Sequence, residues 1–75
     1  MQLDMAAPTF PAREVAPLRN RMGLTQQDFA DRVGVARTLV THWESGIRTP
    51  RGPAAILLQQ LSAFFQDERK KTVHA

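Results

Sequence analysis

Apolar residues recur along this chain at helical rather than alternating spacing. Val15, Leu18 and Met22 make the first stripe, with Thr9-Phe10-Pro11 ahead of it as a helix entry. Thr9 or Phe10 stands near the cap and Pro11 in the first turn. Pro17 lacks an amide proton, so the stripe predicts a kink or a late helix start. Gly23 ends that helix. In Leu24-Thr25-Gln26-Gln27-Asp28-Phe29, Thr25 can cap the amides that follow and Asp28 can reach back, as in a capping box. Leu24 and Phe29 bracket the cap as a hydrophobic staple. This helix runs through Val33 to Gly34. Val35, Val40 and Trp43 form the buried stripe of the next helix, which opens at Val35-Ala36-Arg37-Thr38 and closes at Ser45-Gly46. Ile47 to Gly52 reads as a loop, and Pro53 suits the first position of a last helix. Leu57, Leu58, Leu61, Phe64 and Phe65 are the apolar face of that helix. The fold class is therefore all-α, with four helices, or five, and short connections. Residues 1–9 read as a loose tail, 10–66 as one domain, and 67–75 as a polar, basic tail that frays.

The centre carries a more specific geometry. Two helices that cross at about 90–120° over a short turn form a helix-turn-helix. Such a crossing needs a small residue where the backbones meet, and Ala30 is there. It needs a residue tolerant of positive φ where the chain reverses, and Gly34 is there. Val40 has the size to fill the angle, with Phe29, Val33, Val35 and Trp43 closing the shared core.

Composition narrows the partners. Lysine and arginine total 10 against 7 acids, for a net charge of +3. That balance alone is weak evidence, but its placement is better. Arg37, Arg48, Arg51 and His42 lie between Ala36 and Arg51 with one acid, Glu44. A locally positive segment suits a polyanion; a solvated face is the plain alternative. Cysteine is absent, which excludes thiol nucleophiles and thiolate metal sites and fits a reducing cytoplasm. No apolar run approaches the roughly 18–20 residues of a membrane span. Met1 to Pro8 has neither a basic start nor a long apolar stretch, so no secretory signal is expected.

From Leu24-Thr25-Gln26 through Ala30, Gly34 and Val40 to Trp43-Glu44-Ser45-Gly46, the chain resembles the phage-repressor/Cro family of helix-turn-helix regulators. The similarity reaches back to Leu18-Arg19 and forward through Pro50 to the Leu57–Leu61 helix. It implies a compact all-helical domain that binds operator DNA, usually as a two-fold dimer. Two residues depart from the pattern. Ala36 stands where a capping Ser or Thr is common, and Pro17 is unusual in the first helix.

The resemblance assigns roles residue by residue. Arg37, Thr38, Thr41 and His42 fall on the outward face of the second helix of the motif, which reads bases in the major groove. Arg37 is the leading candidate, because arginine can grip guanine O6 and N7 together. Solvent exposure is the plain alternative for each of the four. His42 has no companion ligands, so it is no metal site. Gln26, Ala36, Arg48 and Arg51 are the expected phosphate contacts, Gln26 aided by helix N-terminal amides, with helix filler the plain alternative for Gln26 and solvated loop charge for the two arginines. Arg19 and Glu44 are expected to pair as a structural salt bridge. Leu39 either touches a thymine methyl or packs on the loop around Ile47.

The expected function is a sequence-specific DNA-binding transcriptional regulator, a repressor or autorepressor that occupies an inverted-repeat operator. No ligand-sensing domain is expected within these 75 residues. A homodimer is expected, with Leu58, Leu61, Phe64 and Phe65 as the candidate surface because their apolar area exceeds what a small core obviously consumes; core packing is the plain alternative for the two phenylalanines and Ile56. The rival reading is an antitoxin that neutralises a protein partner and represses its own operon, with the two tails folding on that partner. No cofactor is expected. An enzyme is not expected either: there is no Ser-His-Asp arrangement, phosphate loop or metal cluster, and His42 and His74 lie at unrelated places.

Overall fold

In the computed structural model, residues 7–74 are described, with side chains through Gln66. A 3-10 turn, Ala12–Glu14, leads into α1 (Val15–Met22). α2 (Gln26–Val33), α3 (Arg37–Ser45) and α4 (Pro53–His74) follow. Pro17 acts through a late start rather than a kink. The chain turns in 3-10 form until Glu14, so Pro17 falls in the first turn of α1, where a missing amide proton costs little.

The helix-turn-helix is α2, Gly34 to Ala36, and α3. Ala30 is fully buried, and its carbonyl accepts from Gly34 N at 2.8 Å and Val35 N at 3.0 Å. That double acceptance reverses the chain in two residues. Gly34 has φ 88°, a left-handed conformation that a Cβ would strain even though nothing lies within 4 Å of one. The turn thus selects glycine by backbone conformation, not by crowding.

The apolar core takes two residues from each of the four α-helices, together with Phe10 ahead of the 3-10 turn. Phe10, Val15, Leu18, Phe29, Ala30, Val40, Trp43, Ala55 and Leu58 are buried together, with Val33, Val35, Leu39, Leu61 and Phe65 packed at the margin. Leu24 also sits at that margin, and Phe29 is fully buried in the core.

Three expectations need correction. Leu58 is 0% exposed, so it belongs to the core and cannot form a dimer surface. The reason is the register of α4, in which Ala55, Leu58 and Ser62 repeat at i, i+3 and i+7 and face inward. α4 runs past Gln66 to His74, through most of the stretch read as a tail. Finally, Pro8 and Thr9 are not loose. Phe10 N donates to Pro50 O at 3.1 Å and Gly52 N to Pro8 O at 2.9 Å, and buried Phe10 pins this segment to the core. The rest of the expected N-terminal tail, residues 1–6, lies outside the described residues.

Candidate nucleic-acid interface

The two helices of the motif begin differently. Thr25, in extended conformation, accepts the amide of Asp28 on its side chain at 3.1 Å and caps α2. Among the described residues no return bond runs from the Thr25 amide to the Asp28 carboxylate, so the capping box is half made. α3 has Ala36 at its cap, and no side chain bonds its first turn. The Ala36 carbonyl accepts from Leu39 N at 3.0 Å and Val40 N at 3.4 Å. The amides of Arg37 and Thr38 have no partner among the described residues.

Helical periodicity turns α3 so that Val40 and Trp43 enter the core and the opposite side faces out. Arg37 and Thr38 are exposed, while Thr41 and His42 are half-buried on the same outward side. The Thr41 hydroxyl donates to Thr38 O at 2.6 Å. Its proton is committed, and it meets a partner as an acceptor. Ser45, exposed and seven residues after Thr38, continues this face. In the sequence Ser45 marks the helix end, and its spacing from Thr38 and Thr41 is the signal that also puts it on this face. Leu39 is half-buried against the core and lines a shallow hollow with Trp43, Arg48, Thr49, Arg51 and Ala54. Its packing is therefore toward the loop after α3.

A polar cluster fixes the other end of α3. Arg19 grips Glu44 with two bonds, Nε to Oε2 at 2.6 Å and Nη2 to Oε1 at 3.1 Å. Nη1 of Arg19 also donates to Leu24 O at 3.0 Å. Gln26 Nε2 donates to Glu44 Oε1 at 3.0 Å, which the sequence reading did not anticipate. One residue from α1, one from α2 and one from α3 are thereby locked together. The pair is only 18% and 12% exposed. The hydrogen bond to Glu44 raises the Arg19 pKa, against burial and with the help of the Glu44 charge. Burial pushes the Glu44 carboxyl up, but hydrogen bonds from Arg19 and Gln26 and the Arg19 charge outweigh it and hold it below its ordinary value.

The loop after α3 folds back over the helix end. Ile47 N and Arg48 N both donate to His42 O, at 2.9 and 3.2 Å. Arg48 thus begins at the C-terminal end of α3, and Arg51 precedes the start of α4. Both are exposed, as is Ala36, whereas Gln26 is half-buried under its bond to Glu44. His42 has no metal-binding company: no group of three or more His, Cys, Asp or Glu residues could hold an ion among the described residues.

A family model described as helix-turn-helix matches residues 18–66, which is most of the chain and spans all of α2 and α3. The chain belongs to the Cro/C1-type helix-turn-helix family. No curated protein and no solved structure matches significantly. As a Cro/C1-type protein it is a DNA-binding transcription regulator. The match starts at Leu18 and so takes in Arg19, Gln26 and Glu44, the three residues that join the helices. It leaves out the Pro8–Phe10 segment. Among the described residues, no helix is long and apolar enough to cross a membrane.

Proposed function

We propose that this protein is a repressor that reads an inverted-repeat operator as a homodimer, with α3 in the major groove. The observation that carries the reading is the two-sided character of α3. Val40 and Trp43 anchor it in the core while Arg37, Thr38, Thr41 and His42 stand on the side turned outward. Arg37 begins the helix, where residues of such a motif meet base edges. Arg48 and Arg51 neutralise phosphates, and Ala36 contributes by leaving the first amides of α3 free at the positive end of the helix dipole. Gln26 spends one amide proton on Glu44 and offers the second to a phosphate. Arg19 and Glu44 serve structure, holding the reading helix at its angle.

One recognition helix covers only a few base pairs, too little to single out one genomic site. A two-fold pair reads both halves of a palindrome. The flank of α4 suits the contact. Phe64 is 61% exposed and lies on the side of Leu57 and Leu61, both half-buried, at i, i+4 and i+7. Phe65 meets Phe64 edge to face, 5.2 Å between ring centroids.

The test is selection of duplexes from a random pool, followed by band shifts on full and half sites with the mass of each complex. The expected product is an inverted repeat with half-site centres about one helical turn apart, bound by two protomers. Phe64→Asp should leave half-site binding and abolish the gain from the second half-site. One protomer on a saturated full site would reject the dimer.

A further inference from the structure

The segment ahead of the first helical turn touches the loop that carries Arg51 in a defined register. The bonds from Phe10 N to Pro50 O and from Gly52 N to Pro8 O flank Thr9 and Arg51, which form an isolated antiparallel bridge. A pair lying between two such bonds is the non-hydrogen-bonded kind. Its Cα atoms approach to about 4.5 Å and its side chains stand next to each other on one face. Gln59 Nε2 adds a bond to Thr9 O at 3.1 Å, tying the segment to α4. Buried Phe10 and buried Pro50 anchor the two strands of the bridge. Thr9 and Arg51 themselves are exposed.

We propose that Thr9 is a positioning residue for DNA binding, holding the Arg51 side chain ready for a phosphate. Arginine carries large rotamer freedom, most of which is lost when its head is fixed on a ligand. A β-branched neighbour, itself stiff at χ1, blocks part of that freedom before DNA arrives. The cost of ordering Arg51 is then met in folding rather than in binding. This role rests on the assignment of Arg51 to a phosphate. It gives the Pro8–Phe10 segment, outside the family match, a part in the interface.

The experiment uses the full chain and a fluorescein-labelled duplex of about 30 base pairs, titrated over a series of KCl concentrations. Arg51→Ala should weaken binding and lower the magnitude of the salt slope by about one. Thr9→Gly should weaken binding roughly two- to fivefold. Thr9→Val, which keeps the branched shape and removes the hydroxyl, should restore the wild-type affinity. Thr9→Gly should add nothing on the Arg51→Ala background, a coupling that a merely structural role for Thr9 would not produce. Wild-type binding by Thr9→Gly beside a weak Arg51→Ala overturns the proposal alone. So do equal losses from Thr9→Gly in both backgrounds, or failure of Thr9→Val to rescue. Unchanged binding by Arg51→Ala removes the phosphate assignment, and the role of Thr9 falls with it.

Discussion

The two ends of α3 are built to opposite specifications. At its C-terminal end the helix is tied down by hydrogen bonds from the following loop and from two other helices. Gly46 N donates to Trp43 O, Ile47 N and Arg48 N donate to His42 O, and Glu44 receives three hydrogen bonds from Arg19 and Gln26. At its N-terminal end Ala36 caps nothing, the Arg37 and Thr38 side chains are exposed, and two amides are free among the described residues. A helix that must present its first turns to a ligand gains nothing from satisfying them internally. It does need a fixed base, because an error in the angle of a rigid rod grows along its length. On the proposed reading, the held end supplies orientation and the open end supplies the contacts.

The largest effect that can break this contrast is loss of the held end. Glu44→Ala strands a mostly buried guanidinium and frees Gln26, which should cost about 1–3 kcal/mol. For a domain of this size that lowers Tm by roughly 5–20 °C. Arg19→Ala should do the same, whereas Arg37→Ala and Thr38→Ala should stay within about 0.5 kcal/mol of wild type. Calorimetry of the four variants checks this, and equal melting points would show that the two ends do not differ. The pair also sets an acid limit. The Glu44 carboxyl is lowered in the folded chain, so its contribution is complete above the ordinary carboxylate pKa of about 4.3 and is lost as pH falls through the folded value. Wild type should therefore lose stability below that range more steeply than Glu44→Gln, which has no proton to take up.

The open end is probed by binding instead of melting. Arg37→Ala should cost about 1–3 kcal/mol on the selected duplex and relax the preference at one base pair. Arg48→Ala should weaken all duplexes alike. Identical base-preference profiles for wild type and Arg37→Ala would remove Arg37 from the reading set.

Which parts of this were legible in the sequence follows from the same contrast. The helix periods, Gly34 in the turn and buried Ala30 are local or nearly local requirements, and the residues declare them. The polar cluster at the held end is half legible: resemblance pairs Arg19 with Glu44, but gives no sign of the bond from Gln26 to Glu44. That third bond depends on how α2 is set against α3, which no spacing within either helix reveals. Leu58 was misplaced for a related reason. An apolar run as dense as Leu57, Leu58, Leu61, Phe64 and Phe65 has several equivalent faces until packing selects one. The bridge from Thr9 to Arg51 was illegible, since it joins residues far apart through backbone groups that any side chain would offer.

The smallest predicted effect tests the open end most directly, because it changes the cap without touching a candidate contact side chain. Ala36 already has the extended conformation of a cap residue, φ −71° and ψ 146°. Ser at this position can accept an amide of the first turn of α3, as Thr25 does from Asp28 at 3.1 Å in α2. Ala36→Ser should therefore stabilise the protein by about 0.5–1 kcal/mol. If the free amides matter for phosphate binding, the same hydroxyl now competes for them, and the gain in Tm should come with an equal or smaller loss in DNA affinity. Ala36→Asp makes the opposition sharper. Its carboxylate is the better partner for the helix dipole, yet it places a negative charge beside the expected phosphate. Melting and duplex titration of the two variants should then rank oppositely, with Asp the poorer binder by the wider margin. A stabilised Ala36→Asp that binds DNA as well as wild type would show that this turn of α3 meets no phosphate, leaving Arg48 and Arg51 as its anchors.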